Sequence, residues 1–153
     1  VQTGGFPIDH TAVFQAQLKP LGVDVQLRVV TSAARVEAGT KGQHHLLSYG
    51  FVAEDPDTLS FGFHSRGHGK AWNFTFAGNK TLDGILDTAV TTIDPKRRCD
   101  LYIRAQMLIM EQALIVPMYN LQAVFGLRRE IQGFRYGPRA NDPYLYGVWF
   151  ERR

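Results

Sequence analysis

The 153-residue sequence predicts an α/β lobe with a mixed β-sheet flanked by helices, and three features of its pattern carry the prediction. Apolar runs at 23–30 and 45–51 bracket a short helical stretch, which is the strand, helix, strand order of a βαβ unit. Two amphipathic helical patterns then follow each other between residues 81 and 112. After Ala113 the pattern returns to β-branched and aromatic runs, the composition of strands. Interleaved elements of both kinds make a layered α/β fold.

Taken in order, Asp9 is placed to cap a helix over 9–18 with Val13, Phe14 and Leu18 on one face. Pro20 disfavours α geometry at Lys19, and Gly22 accepts the left-handed conformation that ends a helix. Over 23–30, Val23, Val25, Leu27 and Val29 alternate with Asp24, Gln26 and Arg28, as in a strand with one face buried. A short helix over 32–38 ends at Gly39. The run at 45–51 is nearly all apolar and suits a strand buried on both faces. Residues 55–78 read as a long loop, too long to be mere connection.

Thr81 opens the next helix, with Leu82, Ile85, Leu86, Ala89 and Val90 as its apolar stripe. Asp94 and Pro95 stand at the N-cap and first position of a helix to about residue 112, with Leu101, Ala105, Leu108 and Ile109 facing inward. Strands are expected at 115–119, 122–128, briefly at 131–134 and finally at 144–150. The sheet opens at the carboxyl ends of its strands, where ligands bind in such folds, and this points to residues 49–57.

Composition narrows the function. The chain is 44% hydrophobic and 20% charged, ordinary for a globular domain. Its +3 charge is scattered, and no nucleic-acid-binding motif accompanies it, so nucleic acid is not an expected partner. No apolar run approaches the roughly 20 residues that cross a bilayer. The chain opens at Val1 without a leader pattern, as a trimmed or proteolytic fragment would, which leaves targeting undecided. Cys99 stands alone, so no internal disulfide is available.

Catalytic and metal patterns fail one by one. His64 and His68 have the spacing of a helical metal pair, but glycines on either side of His68 disfavour a helix and no third ligand is evident. They read as solvated loop histidines. No phosphate loop or Gly-x-Ser-x-Gly elbow is present. Cys99 reads as a small, partly buried helix residue, and Glu54, Asp55 and Asp57 as acids capping and solvating a turn. Tyr49, Phe51, Trp72 and Tyr119, each taken alone, read as packing aromatics. No catalytic residue, metal or cofactor is expected.

The segments in sequence resemble the peptide-, oligopeptide- and nickel-binding extracellular solute-binding proteins of ABC transporters. Gln15, Leu18, Gly22, Val23 and Val25 are similar to the family's Q-x-x-L-x-x-x-G-I-x-V passage. Leu46, Leu47, Ser48, Tyr49 and Gly50 followed by Asp55-Pro56-Asp57 resemble its strand and D-P-D loop. Asn73, Asn79, Asp83, Ile85, Leu86 and Ala89 resemble its N-x-x-x-x-x-N-x-x-x-D-x-L-L-x-x-A helix. Asp94-Pro95, Arg97, Leu101 and Tyr102 resemble D-P-x-x-R-x-x-L-Y, while Pro117, Tyr119, Gly133 and Phe134 resemble the closing elements.

That resemblance implies a type II periplasmic-binding-protein-like fold, with residues 1–153 forming the C-terminal lobe of a longer, two-lobed protein. The expected partners are a small solute, the permease subunits of an importer, and the missing N-terminal lobe. The implied location is periplasmic or extracellular, at the membrane through the transporter. By position, Tyr49, Gly50, Phe51 and Val52 face the ligand, with Asp55, Asn73 and Tyr119 as further candidates.

One departure has chemical content. Peptide-binding members carry a Trp and an Asp where this chain has Tyr49 and Val52, and that Asp pairs with the peptide's α-ammonium. Without it, a desolvated ammonium loses its partner. The ligand is therefore a peptide held otherwise, a capped, neutral or sugar-like solute, or one met by Asp55 from the turn. A regulator's effector domain built on the same lobe is the alternative function, and an enzyme built on Glu54, Asp55 and the histidines is a second.

Overall fold

The computed structural model describes residues 2–3, 8–50, 53–70, 72–120, 122–137 and 142–151. They divide into two compact units, Val1–Gly50 with Asp57–Ile115, and Phe51–Pro56 with Val116–Arg153.

The first unit begins with β1 (Gln2–Thr3) and α1 (Ile8–Leu18), so the helix already includes Asp9. A 3₁₀ turn (Lys19–Leu21) holds Pro20, and Gly22 closes it at φ 79°, the left-handed cap expected of that glycine. β2 (Arg28–Val29) pairs parallel to β1, with Gln2 opposite Arg28 and Thr3 opposite Val29. The strand expected over 23–30 is thus confined to two residues. Val25 is buried, and the Gln15 side-chain amide donates to its carbonyl oxygen.

In α2 (Ser32–Thr40) the Thr31 hydroxyl accepts from the Ala34 N–H at 3.2 Å, an ordinary N-cap. Residues 45–50 form no strand: Leu47 makes a single bridge and the others none. Apolar composition alone does not create a ladder; a strand needs a neighbour in register.

The long loop expected over 55–78 contains α3 (Thr58–Phe63) and a 3₁₀ turn (Ser65–Gly67). Gly62 inside α3 weakens its intrinsic propensity by about 1 kcal/mol, which hides the helix from a pattern reading. Tertiary burial of Phe63 holds it instead. Its first turn is fixed by Asp57, whose carboxylate accepts from the Ser60 hydroxyl at 2.6 Å and the Tyr102 hydroxyl at 3.4 Å.

The core lies between α3, α4 (Lys80–Thr91) and α5 (Pro95–Glu111). Asn79, two residues before the expected Thr81, caps α4: its Oδ1 accepts from the N–H groups of Thr81 and Leu82 at 2.9 and 3.1 Å. Leu82, Ile85, Leu86 and Ala89 point into the core. Val90 lies about 100° further round the helix and is exposed. Asp94 caps α5 as expected, accepting from the Arg97 N–H at 2.7 Å, and Pro95 follows it. Tyr102, Ala105 and Ile109 are its buried face, with Leu101 and Leu108 flanking. Cys99 is exposed on the outer side rather than partly buried.

The second unit has two antiparallel pairs. β3 (Ile131–Gln132) pairs with β6 (Trp149–Phe150), and β4 (Arg135–Tyr136) with β5 (Pro143–Tyr144). Gly133, between β3 and β4, has φ 74°, and a Cβ there would meet the Gly147 carbonyl oxygen at 2.0 Å. That close approach requires the glycine. The strands expected at 115–119 and 122–128 do not form among the described residues, for want of a ladder partner.

Candidate functional site

Phe51 and Val52 lie outside the described residues. Tyr49, Gly50 and Asn73 belong to the first unit, and Asp55 and Tyr119 to the second, where both are exposed.

Around Tyr49 the first unit builds an aromatic corner. Helix α2 positions it through Arg35 and Gly39, four residues apart and so on one face. Arg35 is buried; its Nη1 donates to the Ser48 carbonyl oxygen at 2.5 Å, and its guanidinium lies 5.5 Å from the Tyr49 ring centroid. At Gly39 a Cβ would fall 2.6 Å from the Phe74 ring, so only the absent side chain lets that ring lie on the helix. The Phe74 carbonyl oxygen accepts from His44 Nε2 at 3.1 Å.

Tyr49 meets Phe74 edge-on at 5.2 Å and 84°, and Trp72 at 5.3 Å and 61°. Such edge-to-face pairs contribute about 0.5–1.5 kcal/mol beyond the area they bury. Burial pushes the Tyr49 hydroxyl up to about 12 although Arg35 pulls the other way, so the phenol is neutral at physiological pH. Burial likewise lowers Arg35 from its ordinary value, and a guanidinium remains charged all the same.

Trp72 has φ 91°, a left-handed backbone that a bulky residue adopts at a cost of about 1–3 kcal/mol. Trp72 is 48% exposed, whereas Phe74 is 8% exposed. The corner therefore has a buried floor and one open wall.

Asn73, between those two aromatics, is 0% exposed. Its amide nitrogen donates to the His64 carbonyl oxygen at 2.7 Å, and its oxygen accepts from the Thr75 N–H and hydroxyl at 3.3 and 3.1 Å. These bonds brace the chain beneath Trp72.

His64 belongs to the same brace and is buried, which corrects its reading as a solvated loop residue. Its Nδ1 accepts from the Arg66 N–H at 3.1 Å, and its Nε2 donates to Asp87 at 3.2 Å. Asp83 accepts from the Ser65 N–H at 2.9 Å and from the Ser65 hydroxyl. Burial alone would raise the Asp83 carboxyl; the Ser65 bonds, with His64 and His68 nearby, bring it below its ordinary value. His68 Nε2 donates to the Ala77 carbonyl oxygen at 2.9 Å. Among the described residues no cluster of three or more His, Cys, Asp or Glu is placed to hold a metal ion. A polar cavity of about 420 Å³, lined in part by Arg28, His45 and Leu46, includes none of the expected ligand-facing residues.

Sequence reasoning named Tyr49 and noted Trp72, but missed Arg35 and Phe74. The available signal was the Trp-Asn-Phe run, which sets two aromatics around a single polar residue.

No protein-family model matches the chain. It is 30% identical over 129 residues to the probable di/tripeptide-binding protein 5 of Pseudomonas aeruginosa (strain UCBPP-PA14), covering 82% of this chain and 24% of that protein. It is 24% identical over 127 residues to the probable D,D-dipeptide-binding periplasmic protein DdpA of Escherichia coli (strain K12), covering 81% of this chain and 25% of that one. The structure of the Helicobacter pylori periplasmic binding protein DppA in complex with the peptide STSA matches with a TM-score of 0.75 and 23% identity. That match covers 99% of this chain and 30% of DppA.

Along most of its length the chain is similar to peptide-binding solute-binding proteins. It spans about a quarter of the length of the curated relatives it matches. The α/β periplasmic-binding-protein fold expected from the sequence is the fold observed, though its strands are shorter than expected. The structure surrounds Tyr49, expected to face the ligand, with two further aromatics.

Proposed function

We propose that this chain is the C-terminal lobe of a two-lobed solute-binding protein that captures a peptide or similar small solute for an ABC permease. Binding is reversible and non-covalent, and closure of the two lobes around the solute supplies the water-free surroundings. No bond is made or broken, so the lobe needs groups that hold a ligand rather than a nucleophile or a base. The protein works in the periplasm or its extracellular equivalent; no helix among the described residues is long and apolar enough to cross a membrane.

The observation that supports this reading is the 30% identity, along most of the chain, to a protein named for di/tripeptide binding. The aromatic corner at Tyr49 adds a wall for the solute: rigid, partly desolvated and neutral. Asp55 and Tyr119 remain candidates for contacts from the second unit.

The test is small-angle scattering of the full-length protein with and without peptide. Ligand-dependent compaction is expected, together with weak binding by residues 1–153 alone. Tight one-to-one binding by the isolated segment overturns the two-lobe reading. Native mass spectrometry of the protein as purified then identifies the solute it retains.

A further inference from the structure

We infer that Trp72, set against Tyr49 and floored by Phe74, forms a subsite for an uncharged aromatic or branched apolar side chain of the solute. This rests on the solute-capture reading and adds the chemistry of one of its contacts.

Three observations carry it. Trp72 leaves nearly half its surface open while its neighbour Phe74 is buried, so the indole is the wall that a ligand meets. The indole's position is imposed by tertiary contact, because its left-handed backbone is not one a tryptophan chooses locally. Behind it the support is rigid: Gly39 seats Phe74, and Phe74 seats Tyr49. Two rings inclined at 61° offer a face and an edge together, the arrangement in which an added ring packs best.

Charge selects among ligands. Aromatic faces attract cations, but the Arg35 guanidinium already lies 5.5 Å from the Tyr49 ring and repels a second positive group in the corner. The same guanidinium would attract a carboxylate, but it is buried and already engaged by the Ser48 carbonyl oxygen and the Tyr49 ring, while a carboxylate in the corner would meet the negative faces of the rings. Neutral, flat or branched apolar groups are what remain.

The experiment is calorimetric titration of the full-length protein with the tripeptides Ala-Phe-Ala, Ala-Lys-Ala and Ala-Ala-Ala. The unsubstituted protein is expected to bind Ala-Phe-Ala about tenfold more tightly than Ala-Lys-Ala. Trp72→Ala removes that preference, so that Ala-Phe-Ala binds no more tightly than Ala-Lys-Ala. Where Trp72→Ala fails to fold, Trp72→Phe replaces it, and its smaller ring lowers the preference about threefold. A preference that survives either substitution unaltered overturns the subsite, as does equal binding of Ala-Phe-Ala and Ala-Lys-Ala by the unsubstituted protein. Binding of none of the three overturns the peptide-capture reading itself, and the subsite with it.

Discussion

The two units of this chain are held together by different physics. In the first, Leu82, Leu86, Ala89, Ala105 and Ile109 are at most 2% exposed and enclose a continuous core with Phe63 and Tyr102. In the second, none of the described residues is buried. Its order comes from two short antiparallel pairs and from the rings of Phe125, Phe134 and Tyr136, whose centroids lie 5.3–5.7 Å apart. Val124 and Tyr146 are about nine-tenths exposed. Isolated strand pairs are marginal in water. The first unit therefore carries the stability of this chain, and the second follows it.

The largest effect that would break this contrast comes from matched deletions. Leu86→Ala removes a side chain that is 0% exposed and leaves a cavity between α4 and α5. A cost of about 3 kcal/mol is expected from such a site. Phe125→Ala, in the aromatic trio, is expected to cost about 1 kcal/mol, the scale of ring contacts without burial. Urea unfolding of both variants decides: equal losses would mean that the second unit has a core of its own.

The contrast also explains what could be read in the sequence. The α4 and α5 helices were legible because their signals are local: the 82/85/86/89 stripe, and the Asp94 cap with Pro95 behind it. Among the described residues, strands at 45–51, 115–119 and 122–128 were over-read because Val, Ile and aromatic runs report a preference, while a ladder depends on a neighbour that composition does not specify. Helix α3 was missed because Gly62 and its six-residue length erase the periodicity, and Phe63 holds it through tertiary packing. At the aromatic corner, Tyr49 was named from motif order, as a ligand contact that remains a proposal. Arg35, Gly39 and Phe74 were not, since they lie 10 to 25 residues away and join Tyr49 only in three dimensions.

Asn73→Ala sharpens the comparison at the next scale down. The substitution strips the His64 carbonyl oxygen and the Thr75 N–H and hydroxyl of their buried partner. Unsatisfied buried groups cost about 1–3 kcal/mol, so a loss near 2 kcal/mol is expected in ligand-free protein. Thermal unfolding without solute is the measurement. An unchanged midpoint would return Asn73 to the role of a ligand contact alone.

Smaller again is the helix cap. Asp94→Ala leaves the Arg97 N–H without its side-chain acceptor and is expected to cost about 1 kcal/mol. Its counterpart in the second unit is Gln132, whose amide donates to the Arg129 carbonyl oxygen at 3.1 Å in an exposed turn. Gln132→Ala should change stability by less than about 0.5 kcal/mol, because water replaces that bond. Similar costs for the two would blur the line between the units.

The smallest effect depends on pH and belongs to Asp83 in the first unit. Its carboxyl sits below the ordinary value of 3.8: burial opposes the shift, but the bonds from Ser65 and the neighbouring histidines outweigh it. A depressed folded-state pKa means that the ionised carboxylate stabilises the fold above 3.8, and that this contribution fades as pH falls through the folded value. Asp83→Asn keeps the shape and removes the titration. The variant should be less stable at neutral pH, and the gap should narrow below about pH 4, the ordinary aspartate range. Denaturant unfolding at several pH values from 3 to 7 tests this. Two curves that run parallel over the whole range would show that Asp83 holds the turn of Ser65 to α4 by shape alone, and that its charge adds nothing to the brace beneath Trp72.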